Sequence, residues 1–295
     1  MKNEELQFAN QYNIQWFPGH MARTLRLISE NRKNVDVVLQ LLDARIPRSS
    51  LNPELEKATQ GKPHLYLLNK ADLADEAVTA RWRAYFKARG AGCLALSSKQ
   101  RTGMQGVKAA ISAELAALLE KRAQRGMAGA RTRVMVVGIP NVGKSTFINS
   151  FTGSARAKAA DKPGVTRGKQ WISAGAYDLL DMPGVLWKKF ESDEVAANLA
   201  FIGAIRDEIL DIETLAMNLL AQLQRMYPQR LAQRYRLEES DMALDAYDLL
   251  CAVGRKRGML MSGGAVNTER AAIMLVDEFR ASKLGRISLE RPEEG

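Results

Sequence analysis

The chain has 295 residues, enough for two domains, because single hydrophobic cores seldom grow much beyond this size. Apolar residues make up 46% of it and charged residues 26%, ordinary globular usage that argues against long disordered tracts. No uninterrupted apolar run reaches the roughly 18 residues of a membrane span, and the opening MKNEELQFANQYN lacks the apolar segment of an export signal. The two cysteines, Cys93 and Cys251, show no CxxC spacing and only two histidines are present, so neither a disulfide framework nor a zinc site is expected and a reducing cytoplasm fits best.

The net charge of +10 is unevenly placed: residues 1–134 carry 22 Lys/Arg against 12 Asp/Glu, residues 135–199 carry 8 against 6, and residues 200–295 carry 13 against 15. The basic excess of the first part would attract a polyanion such as RNA, with Arg255, Lys256 and Arg257 as a second local candidate; a merely solvated basic surface is the plain alternative.

In chain order, short apolar and β-branched runs predict six strands: residues 35–43 (VDVVLQLLD), 64–69 (HLYLLN), 92–97 (GCLALS), 133–138 (RVMVVG), 169–174 (KQWISA) and 176–181 (AYDLLD). Helical segments lie between most of them, around Ala77 to Ala88 and Val107 to Lys121, and the alternation predicts a largely parallel sheet covered on both faces. The basic, glycine-containing stretch 121–133 reads as an exposed connection. After Asp193 the strand pattern gives way to helical spacing, with Leu199, Ile202 and Ile205 or Arg206, then Leu215, Leu219 and Leu223, then Ala272, Leu275, Val276 and Phe279. Three or more helices, punctuated by Pro228 and the Gly263-Gly264 pair, should form a small all-α bundle. The expected division is therefore an α/β domain at 1–190 and a helical domain at 191–295.

The most specific motif is GIPNVGKS, Gly138 to Ser145, which follows a strand and opens a helix as a P-loop requires. In such a loop the glycines allow backbone N–H groups to wrap a β-phosphate, Lys144 reaches β and γ oxygens, and Ser145 ligates Mg²⁺; Asn141, Val142, Gly143 and Thr146 complete the phosphate-binding positions. The run Asp181-Met-Pro-Gly184 closes the sixth strand, where Asp181 can hold the Mg²⁺ hydration shell through water and the Gly184 N–H can face a γ-phosphate. Thr166, in the loop between the P-loop helix and the next strand, is the candidate to complete the metal's coordination.

The run Asn69-Lys70-Ala71-Asp72 after the second strand reads as a guanine site. The Asp72 carboxylate can accept from the N1–H and N2–H₂ of guanine, a donor pair adenine lacks, while Asn69 lies near N7 and O6 and Lys70 covers the ring. Backbone N–H groups of Ser97 and Ser98, with Lys99, are expected at O6. A small-molecule P-loop kinase would have no reason to carry these motifs together.

These motifs match those of Ras-like GTPases, except that the base-recognition pair precedes the phosphate motifs, which implies a circularly permuted Ras-like P-loop GTPase domain. Parallel strands permit this, because loops at their carboxyl ends converge on one crevice wherever the chain is cut. With WFPGHM (Trp16 to Met21), DARIP (Asp43 to Pro47), LAFIGAIRD (Leu199 to Asp207) and MSGG (Met261 to Gly264), the sequence resembles the YlqF family of permuted bacterial GTPases over nearly its whole length. The resemblance implies GTP hydrolysis in assembly of the large ribosomal subunit precursor, a helical C-terminal domain in contact with rRNA, stimulation by that particle, and neither DNA nor a membrane as partner.

Val185 occupies the place where Ras-like enzymes carry a water-orienting glutamine. The resemblance makes His20 the candidate catalytic group, with a docking turn or an RNA contact as its plainer reading, and makes Asn141 a candidate K⁺ ligand beside GTP and Mg²⁺. The missing glutamine also admits an alternative function, a nucleotide-gated RNA-binding module with little intrinsic turnover.

Overall fold

A computed structural model describes residues 19–127, 129–153 and 169–293. They form two compact units, one containing residues 19–189 together with 290–293, the other residues 190–289.

The first unit is built on a six-stranded sheet of order β3-β2-β1-β4-β6-β5. Its strands are β1 (Val37–Asp43), β2 (His64–Asn69), β3 (Gly92–Ala95), β4 (Thr132–Gly138), β5 (Gln170–Ala174) and β6 (Tyr177–Asp181). All pairings are parallel except the terminal one of β5 with β6, joined through the short turn at Gly175. Every residue of β1 is buried, as expected of a central parallel strand whose apolar run is covered on both faces. The covering helices are α1 (Gly19–Asn31), α2 (Pro53–Thr59), α3 (Glu76–Ala88), α4 (Met104–Glu114), α5 (Ala116–Gln124) and α6 (Lys144–Thr152).

Side-chain caps fix two of these starts: Asp75 accepts from the N–H groups of Ala77 and Val78 at α3, and Asn52 accepts from those of Glu54 and Leu55 at α2, where Pro53 occupies the first turn. Trp82 and Phe86 of α3 pack into a cluster with Leu42, Leu68 and Val78, seating that helix against β1 and β2. The sequence suggests one helix across 107–121; the chain instead breaks at buried Leu115 into α4 and α5. The exposed connection is shorter than 121–133, since α5 runs to Gln124 and β4 begins at Thr132.

The second unit is helical among its described residues: α7 (Asp193–Phe201), α8 (Ile212–Met226), α9 (Pro228–Tyr235), α10 (Ala246–Lys256) and α11 (Thr268–Arg280). Leu215, Leu219 and Leu223 of α8 are buried, as are Ala272, Leu275, Val276 and Phe279 of α11, so the helical periodicity marks the packed faces. Of the two candidates at 205 and 206, Ile205 is buried and Arg206 exposed. Gly263 and Gly264, at φ +94° and +84°, shape the turn that lets the Met261 N–H reach the Ala265 carbonyl at 2.7 Å. No helix of the described residues is long and apolar enough to cross a membrane.

Candidate functional site

Four parallel strands deliver their carboxyl ends to one rim: β1 ends in Asp43, β2 in Asn69, β4 in Gly138 and β6 in Asp181. Gly138 is required by closeness, since a Cβ there would meet the Leu41 carbonyl oxygen at 2.7 Å. Gly143, at φ +95°, opens α6 without a side-chain cap, and a Cβ on it would lie 2.5 Å from Asn69 Nδ2. The first-turn amides of α6 thus begin at a loop that fits only glycine, the arrangement a phosphate needs.

Lys144 is buried, and its Nζ donates to the carbonyls of Gly138 at 3.1 Å and Ile139 at 2.8 Å. Burial pulls its pKa down to about 8, opposed by the charge of Asp181 and assisted by that of Lys70. Asp181 is displaced the other way: burial raises it to about 6 against the pull of Lys144 and a hydrogen bond from Ser145. Asp181 Oδ1 is buried and has no hydrogen-bond partner among the described residues. An orphaned carboxylate oxygen beside a serine hydroxyl is the hard-oxygen donor set that Mg²⁺ takes, so the residues present fit that ion. Gly184 approaches closely: a Cβ on it would meet Pro140 Cα at 2.7 Å and Lys144 Nζ at 3.0 Å, which sets the end of the Asp181–Gly184 run against the P-loop. Thr166 lies outside the described residues.

The guanine-motif loop is fastened directly to the P-loop. Asn69 is buried, its Nδ2 donates to the Val142 carbonyl at 2.7 Å, and its Oδ1 accepts from Ser98 N–H at 3.0 Å and Ser98 Oγ at 2.8 Å. Its amide therefore binds the two loops together, a role not read from the sequence, which places Asn69 only beside the base. Lys70, at φ +59°, donates to the Asn141 carbonyl at 2.7 Å and pairs with Asp43 at 3.0 Å, which holds its aliphatic stem in a fixed course. Asn141 is itself left-handed at φ +57°. Ala71 donates its N–H to Leu96 O, and half-buried Asp72 makes no hydrogen bond or ion pair among the described residues. Thr146 is half-buried in the first turn of α6.

Two of the N–H groups expected at a base oxygen have partners within the unit. The Ser97 N–H is engaged by Thr102 Oγ1 and the Ser98 N–H by Asn69, while Gln100 N–H turns to Ser97 Oγ. Lys99, between them, carries the N–H that no described residue accepts. Ser97 and Ser98 shape the loop.

Asp43 has no assigned role in the motif reading. Burial works to raise its pKa, yet the bidentate Arg45 guanidinium and Lys70 outweigh this and hold it well below the ordinary carboxylate range. An acid closing a fully buried strand at the same rim as the other motifs was the signal available. Val185 is fully buried; its N–H reaches Gly138 O at 3.3 Å and its carbonyl accepts from Asn52 Nδ2 at 2.8 Å. His20 is exposed in the first turn of α1, and its ring makes no hydrogen bond among the described residues.

A second feature belongs to the helical unit. A cavity of about 750 Å³ is lined by Arg230, Arg234, Arg236, Lys256, Arg257 and Lys283. The buried acid behind it, Glu278, pairs with Arg234 at 2.5 Å and lies 3.7 Å from Arg257, leaving the cleft strongly cationic in a segment that is acidic overall. Lys256 and Arg257 of the basic cluster read from the sequence line it; Arg255 is exposed elsewhere.

A family model described as 50S ribosome-binding GTPase matches residues 133–248, so the match begins in the P-loop strand. The chain is similar to the ribosome biogenesis GTPase A of Bacillus cereus, with 42% identity over 282 residues and 95% of each chain covered. Its fold is similar to that of the GNP-bound YlqF from T. maritima, at a TM-score of 0.62 and 28% identity, over 91% of this chain and 98% of that one. Similarity to the GDP-bound structure of TM YlqF gives a TM-score of 0.65 and 27% identity, over 91% and 100% of the two chains.

Proposed function

This chain belongs to the ribosome biogenesis GTPase A family and is a GTP hydrolase of ribosome biogenesis; from that premise we propose that it acts on the large-subunit precursor and contacts its rRNA. The observation that carries the site reading is the pair of direct links from the guanine-motif loop to the P-loop, Asn69 to Val142 and Lys70 to Asn141. They support one pocket in which Asp72 meets the guanine edge, the Lys99 N–H reaches O6, and Lys144 with the amides of Gly143 to Thr146 takes the phosphates.

Ser145 would hold Mg²⁺ directly and Asp181 through water, with Thr166 joining when a γ-phosphate is present. The ion's chemistry is neutralisation of charge on the phosphate oxygens. The burial of Val185 supports slow intrinsic turnover raised by the ribosomal particle, with His20 as the candidate to orient water. Asn141 is the candidate K⁺ ligand, and turnover in KCl against NaCl decides that role.

The cationic cleft supports the rRNA contact, because its six Lys and Arg side chains suit a phosphodiester backbone. Calorimetry is expected to show GTP and GDP binding with ATP excluded; ATP bound as tightly as GTP would remove the guanine reading. In cosedimentation, the protein should follow large-subunit particles in a nucleotide-dependent way. The double variant Arg236→Glu with Lys283→Glu should lose that association and lower its salt dependence, while GDP affinity stays unchanged. Unaltered cosedimentation of this variant would remove the cleft from the contact.

A further inference from the structure

After α11 the chain leaves the helical unit at Leu289 and re-enters the first unit at Glu290. The Glu290 side chain is buried there. Its carboxylate accepts from the Arg48 N–H at 2.7 Å and the Ser49 N–H at 2.9 Å, and also from Ser49 Oγ. Its backbone carbonyl accepts from Trp82 Nε1 at 3.2 Å, which pins the same residue to the sheet-covering helix α3. A carboxylate on two successive backbone N–H groups fixes the path of the loop that carries them.

That loop, residues 43–52, reaches both ends of the nucleotide site. At one end Ser50 Oγ accepts from the Asp43 N–H at 3.1 Å, and Asp43 holds Lys70, which holds the P-loop at Asn141. At the other end Asn52 Nδ2 holds the Val185 carbonyl, one residue past Gly184. The chain leaves the first unit after Lys189, a few residues beyond Val185, and Glu290, back in that unit, is held by Arg48 and Ser49.

We propose that Glu290 is a positioning residue of the nucleotide site, acting through loop 43–52, so that seating of the chain's final segment and binding of the guanine nucleotide reinforce each other. The proposal rests on the nucleotide reading above. Thermodynamic reciprocity requires that whatever factor the seated tail adds to nucleotide affinity, nucleotide adds to tail seating.

The test uses the full chain. GDP affinity is measured by calorimetry for the native protein, for Glu290→Ala, for the milder Glu290→Gln and for Glu293→Ala, whose exposed ion pair with Arg48 serves as a control. Glu290→Ala should weaken GDP by about tenfold, the size expected when buried amides lose a charged acceptor, with Glu290→Gln intermediate and Glu293→Ala unchanged. In the native protein GDP should slow hydrogen exchange of the Trp82 indole N–H by a similar factor beyond any slowing of core amides distant from loop 43–52, because overall stabilisation by the ligand slows both alike. A folded Glu290→Ala protein with native GDP affinity overturns the proposal. Should that variant fail to fold, native affinity in Glu290→Gln, or Trp82 exchange indifferent to GDP, overturns it equally. If the native protein binds no guanine nucleotide, the nucleotide reading itself falls, a result distinguishable from both.

Discussion

Replacing Asn69 by alanine tests whether the two halves of the site depend on one side chain. The substitution removes three hydrogen bonds from a fully enclosed position, one to Val142 O and two from Ser98. It also leaves the Val142 carbonyl and the Ser98 N–H without those partners. Each ordinary bond contributes about 1 kcal/mol and each orphaned buried group costs about 1–3 kcal/mol, so a loss of about 3–5 kcal/mol is expected before relaxation or entering water reduces it. Against a total stability of about 5–15 kcal/mol, that is a large fraction. Urea unfolding of the nucleotide-free protein, followed by tryptophan fluorescence for the first unit, which holds Trp82, Trp171 and Trp187, and by far-UV circular dichroism for the helical unit, should show the first transition at much lower denaturant while the second stays in place. GDP affinity should fall in parallel, because the P-loop loses its lateral support. Native stability together with native GDP affinity in Asn69→Ala would refute the reasoning, and a stability loss without an affinity loss would refute its second half.

Two further outcomes follow from buried ionisable groups. His64 is held neutral, its pKa lowered to about 4 by burial, with Nε2 3.0 Å from Gln40 Oε1. The unfolded chain binds that proton near pH 6.5, so the contribution is fully present above pH 6.5 and is lost as pH falls toward 4; on the order of 3 kcal/mol should disappear across that window. A His64→Gln variant should show a flatter pH dependence of unfolding there, and an unchanged slope would exclude His64 as its source. Glu278→Ala removes the acceptor of Arg234 and Tyr235, and should destabilise the helical unit by about 2–3 kcal/mol, below the full cost of breaking a buried pair because Arg234 is partly exposed. The same change strips the cationic cleft of its internal counter-charge, so RNA affinity at low salt should rise while the unfolding midpoint falls; filter binding and urea titration of one preparation read both.

The sheet was legible because its strands are short, mostly apolar runs, three of them closed by Asp43, Asn69 and Asp181, and their observed limits lie within about two residues of those runs. The break at Leu115 was not legible: periodicity continues across it, and only the buried surroundings of that leucine show where the axis changes. At the site, residue types and spacing suggested which loops converge. They did not show that Asn69 faces Val142 and Ser98, because a motif names a residue without naming the partner that occupies its polar atoms. Asn52 and Glu290 escaped notice for a stronger reason. Their partners lie up to 133 residues away for Asn52 and 242 for Glu290, and no local period encodes such a pairing.

The permuted order has a physical consequence beyond rearrangement. In this chain Asn69 and Lys70 are made long before Asn141 and Val142, yet the four are joined by two hydrogen bonds of 2.7 Å across β1 and β4. The Asn69 amide therefore gains its Val142 acceptor only once β4 has docked beside β1, whereas Lys70 also has Asp43. In the folded chain the base end and the phosphate end are linked, with Asn69 Nδ2 lying against Gly143. The frame that fastens them, loop 43–52, is itself held by Glu290, whose carboxylate accepts from the Arg48 and Ser49 N–H groups. A nucleotide site assembled in this way draws on residues spread from Asp43 to Glu290, and on the reading proposed above a carboxylate outside every recognisable motif has influence over the pocket.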